Sequence, residues 1–399
     1  MRKILPFLII GILIVSSFDI VMGFEEYSHR DITVRTPSIK MTYDEDYIEI
    51  SFNDSNGETS YLLNPGQPVI PRMVKVFELP FGIHDISIKV TPTTIEELHL
   101  NGEIKPASHP IPLTEIKFKH SFPVKDQNVY RNPDFFPYTW YSYNVGCGIN
   151  GIGKHVTYVT VYLYPIRYSP PTYSLKLAKK MDIKISFKQP DKNWFPVESK
   201  YDLVIIAPQV FSQALQPLID HKNNMGVKTI LKTTEEIYQE YPGRDKPEQI
   251  KYFIKNALEQ WGVKYVLLVG GLKSIVYAKP KDDRNSGETG WYLPVRYANL
   301  LAGEPSYLSD LYYADIYKEG GEFEDWDSNG NGIFAEWTDI DGQPEDILDL
   351  YPDVALGRLA CRNIDEVKAV VNKIIRYEST SPSDKPWFKK MIVVSGDGF

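Results

Sequence analysis

The sequence predicts an all-β, sandwich-like unit followed by an α/β unit built on a mostly parallel sheet. Three observations carry this reading. Before residue 190, Ile183, Ile185 and Phe187 alternate with Asp182, Lys184 and Ser186, the period of a half-buried strand. From Leu203 onward, short apolar runs alternate with helical stripes, the order expected of parallel strands with helices on both faces. Between the two, Lys188 to Lys200 holds two prolines and five charged residues and reads as a connector.

The β unit is placed at residues 24–190. Val156 to Tyr164 is a long run of β-branched and aromatic residues, and Val74 to Leu79 and Ile86 to Val90 are shorter strand candidates. Asn64-Pro65-Gly66 and Pro80-Phe81-Gly82 punctuate them as turns. No helical stripe of useful length interrupts this region. The linker is placed at 191–200 and the α/β unit at 201–399.

In the α/β unit, Leu203 to Ala207 reads as a strand buried on both faces. Phe211, Leu215, Leu218 and Ile219 form a helical stripe, with Gly226 suited to the C′ position and Val227 to Leu231 as the next strand. Ile250, Phe253, Ile254, Ala257, Leu258 and Trp261 form a second stripe, opened by Pro247 and closed by Gly262. Tyr265 to Val269 and Val354 to Leu356 are further strands. Asn363 and Glu366 predict a capping box for a helix carrying Val367, Val370, Val371, Ile374 and Ile375. Met391 to Val394 is read as a last strand. In such sheets ligands and catalysis gather at the C-terminal edge of the strands.

The N-terminus reads as a secretory signal over residues 1–23. Arg2 and Lys3 precede an apolar stretch from Leu5 to Val15, and Val21 and Gly23 offer small residues for cleavage. The alternative is an uncleaved anchor, but the run is short of the ~20 residues of a span. The chain is thus expected outside the cell or at its surface, with no stable membrane span after cleavage. A net charge of −8 without a Lys/Arg block argues against nucleic acid as a partner. Two cysteines, Cys147 and Cys361, fall in different units and are expected to be buried thiols. Asn53-Asp54-Ser55 is a glycosylation triplet of the kind common by chance.

Asp327-Ser328-Asn329-Gly330-Asn331-Gly332-Ile333 is the sharpest local signal. Oxygen side chains at alternate positions, then glycine, match the opening of a calcium loop. Asp327, Asn329 and Asn331, the Ile333 carbonyl, and Glu336, Asp325 and Asp339 form the candidate ligand set for a structural calcium. The twelfth loop position is Thr338 instead of Glu, and a metal-free Asn/Gly turn is the competing reading. Zinc is not supported, since no HExxH or paired His/Cys spacing occurs. Gly270-Gly271-Leu272-Lys273-Ser274 lacks the earlier glycine of a phosphate loop, and no GxSxG elbow exists. Asp310, Asp315, Tyr312, Tyr313 and Tyr317 form an acidic, aromatic cluster, either a solvated loop or part of a site wall. His221 is expected at an exposed helix end.

Asp353-Val354-Ala355-Leu356-Gly357-Arg358-Leu359, with the helix ending Lys373-Ile374-Ile375-Arg376-Tyr377-Glu378, resembles the gingipain family of cysteine peptidases. Val266 to Gly271, Leu293-Pro294-Val295-Arg296, Ser309 to Asp315 and Trp326 to Gly332 follow in the family's order. Gly66 to Pro71 and Tyr162 to Tyr168 resemble the family's propeptide domain. The resemblance implies a caspase-like α/β fold, preceded by a propeptide that packs on it within the same chain. It also implies cysteine endopeptidase chemistry on protein or peptide substrates, by thiolate attack with a histidine proton shuttle. In the family, both catalytic residues lie downstream of the segment seen here. No nucleophile or base is therefore carried over, and Asp397 alone falls near an active-site acid of the family. Cys361 and His221 lie at opposite strand edges, ~17 Å or more apart, so this chain is expected to be inactive. A secreted, non-catalytic calcium-binding or interaction module is the alternative.

Overall fold

The computed structural model describes residues 27–43, 46–53, 59–108, 124–274, 287–300, 307–337, 344–380 and 385–393. The signal-like segment 1–23, Asp339 and Asp397 lie outside them.

Among the described residues the N-terminal unit has ten strands, one short α-helix and one 3-10 turn. Strands β1 (Ser28–Arg35), β2 (Ile39–Tyr43), β3 (Ile48–Phe52), β4 (Thr59–Leu62), β5 (Ile70–Pro80) and β6 (His84–His99) come first. Helix α1 (Gln127–Tyr130) precedes β7 (Tyr141–Ile149), β8 (His155–Leu163), β9 (Ile166–Ser169) and β10 (Ser174–Lys188). One sheet runs β1-β10-β6 with β9 also on β10, and a second runs β4-β5-β8-β7. Their apolar faces meet in one core. Met181, Ile183 and Ile185 from β10 face it together with Val159, Val161 and Leu163 from β8. The alternation read along Ile183 to Phe187 is the side-chain pleat of β10, with the residues between pointing outward.

The second unit begins at β11 (Leu203–Ala207), followed by helix α2 (Ser212–Asn224), β12 (Thr229–Thr233), α3 (Thr234–Glu240), α4 (Lys246–Trp261) and β13 (Tyr265–Val269). Short pieces follow: β14 (Tyr297–Leu300), β15 (Tyr307–Leu308), α5 (Leu311–Ala314), β16 (Tyr317–Lys318), β17 (Glu322–Phe323) and β18 (Glu336–Trp337). Strand β19 (Ala355–Leu359) and helix α6 (Ile364–Glu378) are the last described elements. The sheet order is β12-β11-β13-β19, all parallel. All five residues of β11 are buried, because helices cover both faces. Leu215, Leu218, Val367 and Val371 from α2 and α6 pack on one face. Ile250, Phe253, Ile254 and Ala257 from α4 pack on the other.

Local signals explain the helix ends. Asp245 caps α4 by accepting the Glu248 N–H at 3.0 Å, and Gly262 closes it at φ 65°, a left-handed conformation that favours glycine. Asn363 accepts the Glu366 N–H at 2.9 Å, but the Glu366 carboxylate turns to the Arg362 amide and guanidinium. The expected box is therefore half formed, because a charged partner outcompetes the Asn363 amide. Strand β12 starts two residues later than its apolar run. Val227 still completes the end of α2 by donating to the Lys222 carbonyl, and Asn223 clamps Thr229 from both sides.

Two expectations fail. Met391, Ile392 and Val393 form no strand and are more than four-fifths exposed, with no sheet edge among the described residues pairing with them, and Val394 lies outside those residues. His221 is not at an exposed end. Its Nε2 lies 3.0 Å from Glu378 Oε2, and Lys222 binds the same carboxylate, joining α2 to α6.

The connector is half anchored. Trp194 and Phe195 are partly buried against the second core, while Asp191, Lys192, Asn193, Pro196, Val197 and Glu198 are exposed. Limited proteolysis of the folded chain should cut first at residues 191–193 or 196–198, either side of that pair. First cuts within β10 or β11 would place the boundary elsewhere.

Candidate functional site

The C-terminal edge of the parallel sheet is closed by backbone contacts. Gly270 donates to Leu359 O at 2.9 Å and Gly271 to Cys361 O at 2.8 Å. A Cβ on Gly271 would meet the Ala360 carbonyl oxygen at 2.6 Å, so glycine is required there. Arg358 braces this edge. Its guanidinium donates to the carbonyls of Gly270, Leu293 and Pro294 and pairs twice with Asp310, at 2.7 and 2.8 Å. Asp310 thus belongs to the edge.

The rest of the cluster is interior. Tyr312, Tyr313, Asp315 and Tyr317 are fully buried, so they form no solvated loop but part of the core. Arg296, also fully buried, takes Asp245 in a two-pronged pair at 2.7 and 2.9 Å and lies between the rings of Tyr312 and Phe334. Lys251 from α4 donates to the Glu324 carbonyl beneath the Tyr312 ring. Burial pulls Lys251 below the usual lysine range, against the attraction of Asp315 and Glu324. Burial also raises Asp315, Asp349 and, furthest, Asp353. Asp353 accepts the amides of Ile316 and Tyr317 at 2.7 and 2.8 Å.

This charged interior continues into the contact between the two units. Strand β7 presents Gly146-Cys147-Gly148 to Asp349, Tyr351 and Pro352. Cys147 N–H donates to Asp349 Oδ2 at 2.8 Å, and Ile149 N–H to Pro352 O at 2.8 Å. A Cβ on Gly146 would sit 2.5 Å from the Tyr351 ring, and one on Gly148 would sit 2.8 Å from Pro352 O. The two glycines therefore let the strand meet the loop directly, and Tyr351 stacks on Tyr158 with centroids 4.8 Å apart. Phe81 and Cys147 of the sandwich belong to the same apolar cluster as the α/β core. Beside them, Phe81, His155, Trp194, Phe195 and Tyr317 make one aromatic group, with His155 stacked on Phe195 at 3.9 Å. An open crevice of about 1040 Å³ borders this contact, walled by Tyr143, Tyr162, Trp337 and Tyr351. The roles of His155, Lys251, Asp349 and Tyr351 were not read from the sequence. The one visible hint was an acid at Asp349, four positions before the motif beginning at Asp353.

The calcium-loop residues come together, but bonded to one another. Asp327 pairs with Arg244 at 2.7 Å and accepts the Gly332 amide, while Asp325 lies 3.3 Å from the same guanidinium. Asn329 accepts from Asn331 N–H, Asn331 Oδ1 from Ile333 N–H, and Asn331 Nδ2 donates to Glu336 at 2.7 Å. Asp346 ties the loop together by accepting from Ser328, Asn329 and Glu336. The donors are the hard oxygens a calcium ion takes, yet Arg244 already neutralises both carboxylates. Among the described residues no three Asp, Glu, His or Cys side chains gather as a metal site.

Both thiols are buried and free. Burial pushes Cys147 up to about 12 and raises Cys361 as well, so neither is a ready thiolate. His155 is the titratable group most exposed to acid failure. Its Nε2 is enclosed without a partner, and burial drives it down to about 4. The unfolded chain binds that proton first, so stability should fall as pH drops from about 6.5 towards about 4, by up to about 3 kcal/mol. Denaturant melts of wild type and His155→Phe should diverge over that window. Parallel curves would contradict the assignment.

Comparison with known proteins matches these two units. The model of peptidase family C25 matches residues 197–399, just over half of the chain, and that of the C25 propeptide matches residues 26–211. Gingipain R2 of Porphyromonas gingivalis is 22% identical over 311 residues, covering 67% of this chain and 34% of that protein. Gingipain R1 of the same organism is 21% identical over 266 residues, covering 59% and 21%. The chain thus spans about a third or less of these relatives' lengths. Among solved structures, the complex of Porphyromonas gingivalis RgpB pro- and mature domains aligns at 17% identity and TM-score 0.34, over 42% of this chain and 87% of that one. Zymogenic gingipain K aligns at 16% and TM-score 0.34, over 42% and 93%. With its propeptide region and its peptidase region both matched in order, the chain belongs to the gingipain-type cysteine peptidases of family C25.

Proposed function

We propose that this chain is the propeptide and leading peptidase portion of a secreted cysteine endopeptidase, held latent by its own β-sandwich. The observation that supports this best is the glycine-lined contact of β7 with Asp349, Tyr351 and Pro352. It joins the propeptide-matched unit to the peptidase-matched unit through a shared core. The reading places the α/β unit in a caspase-like fold and takes residues 1–23 as its export signal. Among the described residues no helix is long and apolar enough to cross a membrane. Substrates are proteins or peptides: a thiolate attacks the amide carbonyl carbon, and an imidazolium hands its proton to the departing amine. The thiol and imidazole are assigned to no residue of this chain, and Asp397 is retained as an acid near them.

The reading takes Cys361 as a packing thiol, supported by its burial and by the pairing of His221 with Glu378. The purified chain should therefore show no thiol-dependent cleavage of unstructured peptides. In the product of the complete coding sequence, thiol alkylation should abolish cleavage while Cys361→Ala leaves it intact. Loss of activity in Cys361→Ala without loss of folding would overturn the assignment.

Calcium is proposed as a structural ligand of the loop carrying Asp325, Asp327, Asn329, Asn331, Ile333 and Glu336, supported by the alternating oxygen side chains of Asp327, Asn329 and Asn331. Asp339 belongs to the same proposed set. Binding would require Arg244 to give up part of its hold on Asp327. Millimolar calcium should raise the melting temperature by mass action, and Asp327→Asn should abolish the rise. An unchanged melting temperature in wild type would remove calcium from the account.

A further inference from the structure

Asp315 and Asp349 meet at the inner end of the contact between the two units. Asp315 is fully buried, and its Oδ2 accepts the Trp326 indole N–H at 2.7 Å. Its other oxygen, Oδ1, is enclosed with no donor of its own. Asp349 stands beside it, with Oδ2 on the Cys147 amide of β7 and Oδ1 on the Tyr351 amide at 3.0 Å. A buried carboxylate oxygen without a donor is costly, and two facing carboxylates repel. One shared proton resolves both: protonated Asp315 donates to Asp349, and Asp349 accepts from the sandwich strand.

We propose that this shared proton is a latch, so that the β-sandwich docks tightly when the pair holds its proton and loosens when the proton leaves. The proposal rests on the reading of the sandwich as a docked propeptide. The groups facing the pair come from each packed element. Lys251 on α4 attracts negative charge, Glu324 and Asp353 repel it, and the Cys147 thiol on β7 stays protonated. Burial, and the neighbouring Asp349 against the pull of Lys251, put Asp315 up to about 7. A carboxyl whose affinity for protons is raised in the docked state stabilises docking at low pH. That stabilisation is lost as pH climbs from the usual carboxylate range through about 7. His155, at the other end of the contact, works in the opposite sense and is already neutral above about 6.5. Above about pH 6.5 His155 therefore drops out, and the carboxyl pair titrates together with its neighbour Lys251, which burial pulls down to about 8.

Hydrogen–deuterium exchange of the full chain tests this, with each rate corrected for intrinsic pH dependence. Protection of the β7 amides, Cys147 and Ile149 among them, should fall by up to about tenfold per pH unit for one proton as pH rises towards about 8. Protection in β11 and in α4 should stay constant. Asp315→Asn keeps an acceptor for Trp326 and supplies a permanent donor to Asp349, so its β7 protection should be flat with pH. Should that variant fail to fold, Asp349→Asn, which presents a neutral amide to Asp315, should flatten the profile equally. A pH-independent wild type, or variants that follow the wild-type slope, would overturn the latch. Because the readout is opening of the contact, it fails or holds apart from any peptidase activity.

Discussion

The structure depends on a strand and a loop meeting without side chains between them. Gly146 and Gly148 leave β7 bare on one face, and Tyr351 and Pro352 fill the space that Cβ atoms would take. The two backbone N–H groups of Cys147 and Ile149 then find acceptors on the partner unit, where an edge strand would otherwise leave them to water. Once this contact forms, Phe81 and Cys147 join the α/β core, and Trp194 is driven over Gly82 and Gly321. Two units with separate sheets thus share apolar interior. A connector that looks loose in composition becomes half anchored by two aromatic rings.

The same contact explains why so much charge is buried nearby. Asp315, Asp349, Asp353, Glu324 and Lys251 occupy one region, and a single lysine cannot neutralise four carboxyls. Backbone amides take up part of the excess, as Asp353 does with Ile316 and Tyr317. The remainder is met by protons held well above the usual carboxylate range. Arg296 and Arg244 are arranged differently, each paired with carboxylates and stacked on Phe334, so that α4, the aromatic interior and the Asn/Gly loop are tied together.

Local patterns made the sheet and helices legible. Leu203 to Ala207, the stripe from Ile250 to Trp261 and the alternation along β10 each reflect burial that neighbouring residues decide. The short strands β14 to β18 were not read, since pairings such as Asn299 with Glu336 join distant segments, whereas the helix α3 was missed despite the local capping box of Thr233 and Glu236. Met391 to Val393 misled because an apolar run states only a preference for burial, and among the described residues no strand edge meets it. The candidate site was least legible. Asp327 and Asn331 announced a loop of oxygens, but nothing local revealed that Arg244 would reach Asp327 from 83 positions away. Nor did it reveal that Asp349 would answer to Cys147 across 202 positions. The family resemblance supplied the order of the units, and the contact between them came from three dimensions.

The most direct test of the account removes the ring that fills the bare face of β7. In Tyr351→Ala, exchange of the β7 amides measured at one pH should rise at least tenfold over wild type. Exchange in β1 and β10, on the far sheet of the sandwich, should hold its wild-type rate. Unchanged protection of β7 would mean that the glycine face does not carry the docking, and the account of how the two units are joined would be wrong.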